Sequence, residues 1–199
     1  MRGRFRIVTI AGTVALATFP AGPARADTSC PAERATYAME VEEGTFSVSF
    51  VPARSYASMA SDLYLRLTTP QRPYWFTLAM SNGYGGTTLL PVSDPYHETA
   101  REDGPRNLLD AEDVDAETYG ETLSNLRFYA LDERLSFIDE PPASEEPAPA
   151  FVMMPELGAT LWYDPAVVSE DPSAERDPMP RGVFRFSACL DEAPPQAWP

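Results

Sequence analysis

The chain has 199 residues, 15 of them arginine and none lysine, against 30 acidic residues, one histidine and two cysteines, for a net charge of −15. Affinity for nucleic acid and for anionic membrane surfaces comes from clustered Lys and Arg, so this balance argues against both as partners. It suits solubility and, at most, cationic partners or bound cations.

Residues 1–26 read as a cleavable secretory signal. Arg2, Arg4 and Arg6 precede a 13-residue apolar run from Ile7 to Phe19; Pro20, Gly22 and Pro23 follow, and then the small-residue site Ala24-Arg25-Ala26. This is the order a signal peptidase reads. A membrane-spanning helix needs about 20 apolar residues, more than this run offers. The arginines are not paired as in a twin-arginine signal, and Asp27-Thr28-Ser29 before Cys30 does not suit a lipidated cysteine. Cleavage after Ala26 predicts a periplasmic or extracellular chain of 173 residues that starts at Asp27, a mass that spectrometry of exported protein checks. The signal carries four arginines and no acid, so its removal takes the charge to −19. A chain of this length forms one domain with a real core.

Cys30 and Cys189 lie near the two ends of the mature chain. In an oxidising compartment an even count predicts a bridge between them. Two buried thiols or an intermolecular bridge are the alternatives, and a thiol count on unreduced, unfolded protein separates them.

Strand signals follow in order. Tyr37 to Val41 and Thr45 to Val51 flank Glu42-Glu43-Gly44, and the second segment alternates strictly, with Phe46, Val48 and Phe50 on one face. Period two over seven residues marks a half-buried strand, and the pair reads as a hairpin. Leu63, Leu65 and Leu67 alternate in the next strand, which Thr69-Pro70 and Arg72-Pro73 stop. Tyr74 to Met80 is apolar on both faces and is expected to be central. Asn82-Gly83 marks a reverse turn before a strand over 87–92.

Residues 93–121 are acidic and poor in aliphatics, a surface excursion with room for one short helix. Leu126 to Leu131 and Leu135 to Ile138 form a second hairpin around Asp132-Glu133-Arg134. Residues 139–150 and 164–181 are Pro-rich and acidic and are expected to be solvated loops. Phe151 to Met154 and Ala159 to Tyr163 read as short strands, with one broken helix as the alternative. Gly182 to Leu190 is the last strand of a domain over 27–192, and 193–199 is expected to be a loose tail. The sum is an all-β fold: a single antiparallel β-sandwich, or a partly open barrel, of about ten short strands with long acidic and Pro-rich loops. No internal repeat and no βαβ alternation is present. Phe46, Val48, Phe50, Leu63, Leu65, Leu67, Phe76, Leu78, Phe128, Phe184 and Phe186 are the expected core.

Chemistry-bearing motifs are scarce. Ala79-Met80-Ser81-Asn82-Gly83 resembles a nucleophile elbow, but the glycines that follow cannot start the helix such an elbow needs. The same glycines lack the third position of a dinucleotide loop, where Thr88 stands, and a chain without lysine has no P-loop. His97 is the only histidine. With Asp94 and Glu98 beside it in sequence, it is the one candidate for acid–base or triad chemistry; a surface histidine among acids is the bland alternative. Asp110, Glu112, Asp113, Asp115 and Glu117 are the candidate calcium ligands. No EF-hand register fits them: from Asp113 the sixth position is Thr118, and from Asp115 the twelfth is Leu126. One histidine and two distant cysteines do not make a zinc site. The many carboxylates allow a glycosidase pair, which only their separation in space would diagnose. Tyr74, Trp75, Tyr84, Tyr96, Trp162 and Tyr163 can stack on sugars or fill a core, with Trp75, Tyr84 and Trp162 the candidate binding residues. No cofactor is implied and no family pattern emerges. The resulting expectation is an exported, non-catalytic binding or structural envelope module with a protein or carbohydrate partner. A secreted hydrolase of polysaccharides or esters and a calcium-stabilised extracellular module are the rivals.

Overall fold

Strand alternation alone leaves open whether the sheet folds over as a sandwich or closes on itself. In the computed structural model, which describes residues 30–80, 86–111 and 114–199, it closes. Nine antiparallel strands are present among the described residues: β1 Ala35–Val41, β2 Gly44–Pro52, β3 Leu63–Thr68, β4 Pro73–Met80, β5 Thr87–Val92, β6 Arg127–Leu131, β7 Phe137–Ile138, β8 Phe151–Met153 and β9 Val183–Cys189. Their order is β5-β4-β3-β2-β1-β9-β8-β6-β7, and β5 also pairs with β6. The ring is therefore an eight-stranded up-and-down barrel, with β7 appended to β6. The all-β expectation holds; of its two architectures the barrel is the one formed. Closure is possible because β6 serves two neighbours on one edge. Thr87 and Thr88 at the start of β5 pair with Phe128 and Arg127, and further along β6, Phe137 and Ile138 pair with Leu131 and Ala130.

The barrel interior is filled rather than hollow. Phe46, Val48, Phe50, Leu63, Leu65, Leu67, Phe76 and Leu78 are fully buried, joined by Tyr37, Leu89, Phe128, Val152 and Phe184. An eight-stranded barrel has an interior just wide enough for side chains to fill. All the expected core residues are in this cluster except Phe186, which is half-buried against it. Tyr37 meets Phe50 and Phe186 edge-on.

Both mouths are plugged by segments expected to be solvated. At one mouth, residues 139–150 lie across the opening. Pro141, Pro142 and Pro149 are buried. The Tyr37 hydroxyl donates to Pro149 O (2.9 Å), Ser61 Oγ to Pro142 O (2.7 Å) and the Ala32 amide to Glu146 O (2.9 Å). The four prolines of this stretch cannot donate, but their carbonyls accept and their rings are apolar, while Ala148 and Ala150 donate to Cys30 O and Leu131 O. The Cys30–Cys189 disulfide, spanning 159 residues, closes beside this plug. In the chain-entropy model a loop of that size is worth about 5 kcal/mol.

The other mouth carries two helices. α1 (Ala116–Asn125) begins where the Asp115 carboxylate accepts from the Thr118 amide (2.8 Å), an N-cap. α2 (Leu157–Tyr163) takes in Ala159 to Tyr163, where the expectation was a short strand with helix as the alternative; here the helix forms. Its buried positions are Leu157, Thr160 and Leu161, a spacing of three and four that suits a helix face. It stops at Asp164 because Pro165 disfavours helical backbone in the residue before it. Leu126, Leu157, Leu161, Val168 and Met179 close the mouth. Residues 164–181 are thus anchored, and Asp177 is the anchor. It is 1% exposed, and its Oδ2 accepts from Thr69 Oγ1 (2.6 Å) and from the Tyr74 hydroxyl (2.9 Å).

The C-terminal segment is a further correction. Ala197 is fully buried and bridges Ala53 in parallel. The Tyr64 hydroxyl donates to Trp198 O (2.7 Å), and the Arg54 guanidinium lies 3.4 Å over the Trp198 ring. The segment roofs Val51, Tyr64, Trp75 and Val92 on the outer face of β2–β5. Four apolar residues pointing outward on adjacent strands need cover, and the last residues supply it.

Candidate functional site

Among the described residues, those named above do not come together as a catalytic or metal centre. Asp94 Oδ1 accepts from the Tyr96 amide (2.8 Å), an Asx turn, and the Asp94 amide donates to Glu170 Oε2 (3.1 Å). His97 Nδ1 accepts from the Thr99 amide (3.3 Å), so the ring caps a single 3₁₀ turn, Glu98–Ala100. His97 and Glu98 are exposed, and no side-chain hydrogen bond joins His97 to either acid. The Thr99 hydroxyl lies 2.9 Å from His97 Nδ1 within the same turn, and neither Asp94 nor Glu98 orients the ring.

The described acids of the excursion serve separate turns and caps. Asp110 ends a 3₁₀ turn, Asp115 caps α1 and Glu117 lies in its first turn, beside the helix's positive end. The bonds from Thr118 hold the Asp115 carboxyl below its ordinary value. Glu112 and Asp113 lie outside the described residues, as do Tyr84, the Asn82-Gly83 turn, Ser81 and the signal segment. Among the described residues no three His, Cys, Asp or Glu side chains group as metal ligands, and no helix is long and apolar enough to cross a membrane.

Of the candidate aromatics, Trp75 is buried under the C-terminal roof, edge-on to Tyr96 at 5.7 Å. Burial pushes the Tyr96 hydroxyl up from its ordinary value, with Arg66 opposing and Asp94 adding to it. Trp162 is 39% exposed beneath the Arg176 guanidinium. Neither ring is a bare platform.

Two other surfaces stand out instead. The first is the outer face of β7-β6-β8-β9. Side chains directly opposite in an antiparallel pair share a face. Phe137 faces Leu131, which faces Phe151, which faces Arg185; one step along, Tyr129 faces Met153, which faces Val183. Because Phe128 and Ala130 point inward, this row points outward. Phe137 is 65% and Tyr129 37% exposed, with their rings 5.6 Å apart, and Leu135 and Ile138 at the hairpin end are also exposed. Asp132, Glu133, Asp139 and Glu140 border the row together with Arg134, and the Arg185 guanidinium lies over Phe151. Within the row Leu131 is buried and Phe151 and Met153 are half-buried, so Phe137 and Tyr129 are the rings left open. The alternation in 126–138 was visible in the sequence, but the outward direction of its aromatics was not.

The second is a polar cavity of about 450 Å³ between α1 and α2. Thr118, Glu121, Thr122 and Asn125 line it from α1, and Ala159, Thr160, Tyr163 and Asp164 from α2 and its end. The sequence pattern does not show it, because Ala159 to Tyr163 fits a short strand as well as a helix.

No family model matches the chain, and neither the curated proteins nor the solved structures hold a significant match to it.

Proposed function

We propose that this protein is an exported, non-catalytic binding module that engages a basic and apolar segment of a protein partner through the outer face of β6, β7, β8 and β9. The observation that carries the reading is the exposed pair Phe137 and Tyr129, with half-buried Phe151 and Met153 beside it, on an otherwise strongly acidic chain. Exposed contiguous apolar surface on a soluble domain marks interaction sites. The short strand β7 pairs with β6 alone among the described strands, so it offers backbone groups to an added strand. The bordering carboxylates favour a cationic partner over a second copy of the same acidic chain. A disulfide between the ends of the mature chain supports an oxidising compartment.

The test is crosslinking from a photoreactive residue at Phe137 in the native envelope, with the captured species identified by mass spectrometry. Capture of one protein is expected, lost in Tyr129→Ser, and its isolated basic segment is expected to bind less tightly as salt rises. The reading fails if purified protein turns over a glycan or ester and His97→Ala abolishes the turnover without unfolding the barrel.

A further inference from the structure

We infer that Arg54 and Arg101, gathered at the Trp198 ring on top of the C-terminal roof, form a binding site for a small oxyanion, the carboxylate or phosphate group of a ligand, separate from the β6–β9 face. The first observation is a local reversal of charge. On a chain with 30 acids, residues 44–93 hold one, Asp62, against three arginines, Arg54, Arg66 and Arg72. Asp62 is engaged at the proline-plugged mouth, where its Oδ1 accepts from the Ser144 amide (2.9 Å). Strands β2 to β5 carry no carboxylate at all. Net charge sums the whole chain, while a bound ion responds to what lies within the screening length, about 8 Å at physiological salt.

The second observation is the pair itself. The Arg54 guanidinium lies 3.4 Å and the Arg101 guanidinium 5.3 Å from the centre of the Trp198 ring, so the two charges are no further apart than those distances laid end to end. Arg66 stands on the same outer face, 5.3 Å from the Trp75 ring. All three arginines are exposed. Among the described residues none of them has an ion pair or an acceptor for its side-chain N–H groups. Glu98, Glu102 and Asp103 lie close to Arg101 in sequence, and none pairs with it. A guanidinium stacked on an indole uses its face and keeps the N–H groups of its edge, a planar fork that matches a carboxylate or phosphate. Two like charges held this close repel, and an anion bridging them replaces that repulsion with two charge-assisted attractions. The site is in place without its ligand. The Trp198 amide donates to Pro95 O (3.1 Å), the Tyr64 hydroxyl to Trp198 O (2.7 Å) and the Arg54 amide to Ala197 O (3.0 Å). The guanidiniums repel cations, and the acidic remainder of the chain repels long polyanions, which leaves small oxyanions as the class.

The experiment titrates the full mature chain with sodium phosphate, with sodium succinate and, at matched ionic strength, with sodium chloride. Binding is read by calorimetry and by NMR of the Trp198 indole N–H and the amides at 54–55 and 97–104. Saturable shifts at these groups are expected with phosphate or succinate and not with chloride, and the tighter of the two assigns the ligand to the phosphate or the carboxylate class. Arg101→Gln removes one fork and leaves the closer Arg54 stack on the roof; it is expected to weaken binding at least ten-fold, and Arg54→Gln likewise. Arg134→Gln and Phe137→Ser, on the other face, are expected to leave binding unchanged. Should the Arg54 and Arg101 variants fail to fold, the location of the wild-type shifts decides. The inference is overturned if neither anion gives saturable shifts, if chloride reproduces them, if they fall elsewhere, or if Arg134→Gln weakens binding as much as Arg101→Gln. Any of these results leaves the reading of the β6–β9 face standing, because no residue is shared between the two.

Discussion

The barrel has two apolar outer faces, and only one is covered. On β2–β5, Val51, Tyr64, Trp75 and Val92 point outward and lie under residues 195–199, which bridge Ala53 and accept from Tyr64. On β6–β9, Phe137 and Tyr129 point outward and stay exposed, with half-buried Phe151 and Met153 beside them. The chain thus shields one sticky face intramolecularly and leaves the other available. The covered face belongs to stability and the bare face to interaction, and the two are separable by mutation.

The largest expected effect breaks the covered side. Deleting residues 193–199 exposes part of four large side chains, each worth about 1.5–3 kcal/mol when fully buried. A loss of about 3–5 kcal/mol in urea unfolding is expected, with new binding of a hydrophobic dye. A loss under about 1 kcal/mol would mean the segment is an ornament rather than a roof.

Next comes Asp177→Ala at the helical mouth. It strips the acceptor from Thr69 and Tyr74 and frees residues 164–181. A cost of about 1–3 kcal/mol is expected, with earlier proteolysis in that segment. Burial and the neighbouring Asp177 both push the Tyr74 hydroxyl up from its ordinary value, the first more than the second, so Tyr74→Phe is expected to cost less than Asp177→Ala.

Alkaline titration gives the next effect. Burial raises Tyr37, and burial with Tyr56 beside it raises Tyr64, both above the ordinary value of 10.0. An acid whose folded pKa is raised contributes in full below its unfolded pKa. Above about pH 10 the unfolded state ionises first, so stability declines, for Tyr37 by about 1.4 kcal/mol per pH unit. Tyrosinate absorbance from these two rings is expected to rise only with unfolding, and in the truncated chain Tyr64 is expected to ionise earlier.

The smallest effect sharpens the bare side. Phe137→Ser and Tyr129→Ser are expected to change stability by under about 1 kcal/mol, as at other exposed positions, while abolishing the crosslink at residue 137. If either costs as much as the truncation, the row is structural and the proposed function loses its support.

Local pattern sufficed for much of this molecule. Strict alternation in 45–51 and 63–67 fixed both the strands and the inward face, because period two commits alternate side chains to one side. Two cysteines in one oxidised chain leave a single internal pairing, and it is the one formed. What the pattern could not supply was everything that depends on segments distant in sequence. Closure rests on β5 meeting β6 across 34 residues that the strand signals do not describe. Ala159 to Tyr163 became helix because Leu157 and Leu161 had a barrel mouth to plug, and a five-residue apolar run fits either period until its partner surface is known. Residues 139–150 look solvated by composition, yet the Tyr37 and Ser61 hydroxyls needed acceptors at the opposite mouth and proline carbonyls met that need. The α1–α2 cavity was illegible for the same reason: Thr122 and Thr160 are ordinary residues 38 positions apart until two helices pack side by side. Sequence determined which residues face inward; tertiary structure decided which outward faces are covered, because cover is a long-range contact and alternation is a local one.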